Sequence, residues 1–133
     1  MPSRSEAAVA LFLLATPAAA QDVDCAEAVT QVEMTYCAEQ AWLRADEALT
    51  LAWGLAIEEA RAIQSALPAD APVDVEEDLR AAQRVWIEFR DRACTAESHR
   101  AWGGSMMPML VYACRERLTE RRTQDLRRFA EEM

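Results

Sequence analysis

Gln83-Arg84-Val85-Trp86-Ile87-Glu88-Phe89-Arg90-Asp91-Arg92-Ala93-Cys94, followed by Gly103-Gly104-Ser105 and then Cys114, is the stretch that decides the fold. Its apolar positions return every three or four residues rather than every two, which is the spacing of one helix face. The paired glycines should end that helix, since glycine is among the poorest helix formers. A cysteine on each side of the break offers a covalent tie across it. Helix, corner and a second helix therefore follow one another in this segment.

Upstream, the same periodicity extends back through Val75, Leu79, Ala82, Trp86, Phe89 and Ala93, spaced alternately by four and three, and predicts one continuous buried seam. Asp74 and Glu77 have the spacing of a helix-capping pair. Asp74, Glu76, Glu77 and Asp78 also sit where the positive end of a helix dipole favours acids. Glu76 with Arg80 and Glu88 with Arg92 add pairs four residues apart on the solvent side.

Before this helix, Pro68-Ala69-Asp70-Ala71-Pro72 reads as a short stiff linker. The preceding helix starts at Thr30, whose spacing to Glu33 matches a capping box, and runs to Leu67, where Pro68 stops it. Its apolar side is wide, with Met34, Cys37, Ala41, Ala45, Ala48 and Ala52 on one stripe and Trp42, Leu49, Trp53, Ala56, Ala60 and Ile63 on the next. Such a face predicts contact with two other elements. Gly54 in its middle costs about 1 kcal/mol against alanine, which points to a close helix crossing or a kink near Trp53.

After the glycines, a third helix opens at Ser105 or Met107, with Pro108 early enough for its missing amide to be harmless. Leu110, Cys114, Leu118, Leu126 and Phe129 form its apolar side, and Arg115, Arg117, Arg121, Arg122, Arg127 and Arg128 are expected on its exposed side, near acids of the other two helices. Strand and hairpin signals are absent. The expected fold is all-α, a three-helix antiparallel bundle stapled by two disulfides.

Residues 1–20 read as an export signal: Arg4, an apolar run from Ala7 to Ala15, and Ala18-Ala19-Ala20 before Gln21. The run is too short to span a bilayer, which takes about 20 apolar residues. A helical domain over residues 21–133 follows, with a periplasmic or secreted destination. The chain carries a net charge of −9, which disfavours nucleic acid and anionic membrane and favours cationic partners. The sequence specifies no oligomeric state.

An exported chain meets an oxidising compartment, where Cys25, Cys37, Cys94 and Cys114 can pair. Four cysteines allow three connectivities. The segment from Cys25 can fold back on the first turns of helix one, and Cys94 and Cys114 flank the glycine corner. Loop geometry thus favours Cys25 with Cys37 and Cys94 with Cys114 over the crossed pairings. Gaps of twelve and twenty residues are unlike the two-to-four-residue spacing of zinc ligands, so no metal is expected.

Catalytic signatures are missing as well. Nucleophilic catalysis needs a base paired with a nucleophile, and the chain has a single histidine, His99, in the polar stretch before the glycine corner; no phosphate-binding glycine loop or His-Glu-x-x-His pattern occurs. We therefore read a binding protein without cofactor rather than an enzyme. Candidate partner contacts are His99, Arg100, Trp102, Gly103, Gly104 and Ser105 at the corner. Asp46, Arg90 and Asp91 form a candidate structural clasp, because a buried arginine is normally paired and Arg90 lies four residues past Trp86.

Taken together, Thr30, Met34, Cys37, Ala45-Asp46, Leu49, Gln83, Trp86, Phe89-Arg90-Asp91, Cys94, Gly103-Gly104-Ser105, Cys114, Leu118-Thr119, Arg122 and Leu126 resemble the lysozyme inhibitor LprI family. Two departures are Thr50, where asparagine is common in the family, and Trp53, where tyrosine is common. The resemblance implies a small secreted helical domain with no catalytic residues to transfer. Its implied activity is that of the namesake, inhibition of a cationic lysozyme-like muramidase. The expected mode is an acidic face docking on the enzyme while the loop from Ala96 to Met107 enters its cleft. The competing expectation is a periplasmic structural or adaptor protein that binds another envelope protein without inhibiting lysozyme.

Overall fold

A computed structural model describes residues 23–131, so the export signal expected over residues 1–20 lies outside the described residues. Three helices make up almost the whole of it: α1 (Gln31–Ala66), α2 (Val75–Ser98) and α3 (Met107–Glu131), with a short 3-10 turn (His99–Ala101) extending α2. No strand occurs among the described residues. Successive helices run antiparallel, which leaves α1 and α3 side by side and parallel. The fold is all-α, with two disulfides.

Local chemistry places each boundary. Thr30 Oγ1 accepts from the Glu33 amide at 3.2 Å, and the Glu33 carboxylate accepts from the Thr30 amide at 2.9 Å, a complete capping box. Those hydrogen bonds, the Thr30 amide first, hold the Glu33 carboxyl below its ordinary range. At the other end Leu67 leaves helical geometry immediately before Pro68. The Asp74 carboxylate accepts from the Glu77 amide at 2.9 Å and starts α2. Gly103 adopts φ 75°, and this left-handed turn lets the chain reverse into α3.

The core forms where α1 and α3 lie together. Leu49, Ala52, Ala56 and Leu126 make its centre, with Trp53, Leu79, Trp86 and Phe129 packed on them. Ala45, Ala52, Ala56 and Ala60 on α1, and Thr119 and Thr123 on α3, are all buried. Small side chains at these positions let the two backbones approach closely.

Three sequence expectations are corrected. Ala82 and Phe89 are exposed, Phe89 by 58%, and α2 instead buries Arg90, Cys94 and Ser98. The buried arc of α2 is turned by about one residue because Cys94 must reach Cys114 and Arg90 sits against two indoles. A Cβ added at Gly54 would meet nothing within 4 Å, so no helix crosses there. Arg115 and Arg122 are part-buried rather than on the solvent side, and Arg122 donates to Gln83 at 2.9 Å. The arginines of α3 do lie near acids of both other helices: Arg115 pairs with Asp91 and Arg117 with Glu97 on α2, and Arg127 lines a cavity with Glu58 and Glu59 of α1.

Candidate functional site

Two features have the chemistry for a site, a polar clasp inside the bundle and the corner at one end. The clasp centres on Arg90, whose side chain is only 9% exposed. Its Nε donates to Asp91 Oδ1 at 2.9 Å, and Nη1 lies 3.7 Å from Asp46 Oδ1 on α1. Its guanidinium lies over two rings, 5.2 Å from the centroid of Trp86 and 5.7 Å from that of Trp42. From α3, Arg115 covers Trp42 at 5.0 Å and brings Nε within 3.2 Å of the same Asp91 oxygen. Trp42 also stacks on Tyr112, with centroids 5.8 Å apart. Burial, reinforced by the Glu39 carboxylate, pushes the Tyr112 phenol above its ordinary pKa.

This arrangement draws all three helices to one point. Each of the two clasp carboxylates, Asp46 and Asp91, faces a guanidinium, an arrangement suited to holding the helices together. Among the described residues no cluster of three or more His, Cys, Asp or Glu side chains is placed to hold a metal ion.

The corner is built differently. Cys94 and Cys114, joined with Cα atoms 5.4 Å apart, close its base and are fully buried. Ser98 is buried too, its hydroxyl donating to the Thr95 carbonyl at 2.7 Å. Beyond it the backbone folds on itself: the Trp102 amide donates to His99 at 3.1 Å and the Gly104 amide to Ala101 at 2.9 Å. The His99 ring meets the Trp102 ring edge-on at 5.5 Å. Trp102 is nonetheless 77% exposed and Met106 is exposed beside it. His99, Arg100, Gly103, Gly104 and Ser105 are exposed as well. An ordered backbone thus holds a large aromatic and a cationic side chain out in water.

Acids crowd at the opposite end. Asp70, Asp74, Glu76, Glu77 and Asp78 gather around the α1–α2 connection, and α2, 24 residues long, sets them about 36 Å from the corner. One compact contact cannot engage both that acidic end and the corner.

A family model described as lysozyme inhibitor LprI matches residues 24–126. The chain belongs to that family. It is also 39% identical over 129 residues, 93% of each chain, to the uncharacterized protein R02472 of Rhizobium meliloti (strain 1021). No solved structure matches it.

In this LprI-family chain the residues singled out from sequence fall into two groups. Asp46, Arg90 and Asp91 meet in the clasp, and His99, Arg100, Trp102, Gly103, Gly104 and Ser105 share the corner. Cys25 is bonded to Cys37 and Cys94 to Cys114. Sequence reading missed Trp42, Tyr112 and Arg115 as members of the clasp. The spacing of Trp86 and Arg90 is local and visible, whereas these three arrive from other helices and carry no local signal. It also missed Val29 and Val32, among the most exposed large apolar side chains of the described residues.

Proposed function

We propose that this chain is an exported, non-catalytic binding protein that inhibits a lysozyme-type muramidase through the corner between α2 and α3. Family membership supports the activity, and the observation that carries the mode is Trp102, 77% exposed on a backbone tied by a buried disulfide. Ordering the loop in advance removes part of the entropic cost of binding. Muramidases of the two-carboxylate kind present acids at the bond they cleave, which Arg100 and His99 suit by charge and hydrogen bonding. Trp102 offers a flat apolar face to a subsite built for sugar rings. The overall charge of −9 adds long-range steering toward a cationic enzyme.

Hydrolysis of peptidoglycan by a cationic lysozyme, measured against added protein, tests this. The parent protein should inhibit at micromolar concentration or below. Trp102→Ala should raise Ki by about 30-fold, the equivalent of the 2 kcal/mol expected of an aromatic anchor. Undiminished turnover at micromolar parent protein removes the proposal for that enzyme. The alternative, an envelope adaptor without inhibitory activity, draws on exposed Val85 and Phe89 along α2. Recovery of one stoichiometric envelope partner, lost on Phe89→Ser and unaffected by Trp102→Ala, would favour it.

A further inference from the structure

We propose that the loop closed by Cys25–Cys37 is the second half of the muramidase-binding surface, meeting the cationic surface around the cleft while the glycine corner meets the carboxylates within it. This rests on the reading just given. The two segments share one end of the bundle. Gln31, the first residue of α1, donates through Nε2 to Met109 Sδ at 3.6 Å, in the first turn of α3. The Cys25 loop leads directly into that turn of α1, as the corner leads into that turn of α3.

The loop is exposed yet constrained. Asp24 Oδ1 accepts from the Ala26 amide at 2.9 Å, and the Asp24 carbonyl accepts from the Glu27 amide at 3.1 Å. The disulfide fixes this turn to Cys37, two turns into α1, with Cα atoms 5.6 Å apart. On it stand Val29 and, just inside the helix, Val32, exposed by 82% and 80%. Neither side chain serves the core. Valine also gains nothing on an exposed helix face, where its χ1 is restricted. A constrained turn presenting two bare apolar side chains has the form of a contact surface.

Charge names the occupant. Among the described residues neither Glu27 on the loop nor Arg100 at the corner has an ion-pair partner. One end of the molecule thus carries a free acid on one arm and a free base on the other. A nucleic acid or an acidic peptide would satisfy the corner and be repelled by the loop. A protein that is cationic outside and carries carboxylates in a recess satisfies both, and a two-carboxylate muramidase of basic surface is of that kind.

Two measurements on the complex with a cationic lysozyme test the pairing of these surfaces. Hydrogen exchange should slow in two separate segments on binding, residues 24–33 and residues 99–106. The variant Glu27→Arg/Val29→Ser/Val32→Ser changes only side chains outside the core, and circular dichroism should show its helix content unchanged. Its Ki should rise by about tenfold or more, and the remaining inhibition should depend less on salt than that of the parent. If the triple variant inhibits like the parent while Trp102→Ala does not, the loop is no part of the interface and this inference fails alone. Protection confined to residues 99–106 overturns it in the same way. If the parent does not inhibit at all, the functional reading and this inference fall together.

Discussion

Arg90 gains its stability from position rather than from charge alone. A guanidinium held over Trp42 and Trp86, hydrogen-bonded through Nε to Asp91 and close to Asp46, has its charge balanced while almost out of water. Because both carboxylates keep partial access to solvent, removing the arginine strands neither of them fully. Arg90→Ala should therefore cost about 2 kcal/mol, below the 3–5 kcal/mol of a fully buried pair broken on one side. Urea denaturation measures it, and a loss under about 0.5 kcal/mol, the scale of surface changes, would show that the clasp contributes little. In sequence this residue was half legible. The four-residue step from Trp86 to Arg90 lies within one helix turn, whereas Trp42 and Arg115 join through folds of the chain that no local spacing records.

At the scale of elements, helix ends were readable and helix faces less so. Thr30 with Glu33, Asp74, Pro68 and the paired glycines act within four residues of themselves, so their effect survives without tertiary context. The inward arc of α2 does not. Phe89 is more apolar than Arg90, yet Arg90 is buried and Phe89 exposed, because disulfide and cation–aromatic contacts outweigh a single apolar side chain. The fork between α1 and α2 carries its own test. Glu76 accepts from Arg61 Nε at 2.8 Å and from Arg80 Nη2 at 2.6 Å, and these bonds, Arg61 first, lower its pKa to about 2. A depressed carboxylate contributes its stability above the unfolded pKa, near 4.5, and loses it as pH falls through the folded value near 2. The stability advantage of the parent over Glu76→Gln should hold steady above about pH 4.5 and shrink toward zero near pH 2. Urea midpoints across that range measure it. Since the site is exposed, added salt should reduce the difference at every pH. An advantage that grew on acidification would contradict the assignment.

At the scale of the molecule, the two disulfides have unequal work. Cys94–Cys114 lies buried between α2 and α3 and fixes the angle at which the corner emerges, whereas Cys25–Cys37 ties an exposed segment to the start of α1. Replacing Cys94 and Cys114 together by serine should cost about 3 kcal/mol, as expected for a closed loop of this size, and should weaken muramidase inhibition. Replacing Cys25 and Cys37 should cost less stability, because the freed segment can fray without opening the core. Equal losses in denaturation would show that the N-terminal segment belongs to the cooperative unit.

Sequence by itself determined the helices, their order and ends, the position of the corner, and the family to which the chain belongs, because periodicity, caps and breakers act over a few residues. Tertiary structure alone decided which face of α2 turns inward, that three helices meet around Arg90, and that the acidic end stands opposite the corner. Those outcomes depend on contacts between residues far apart in the chain, and only packing three rods against one another brings them together.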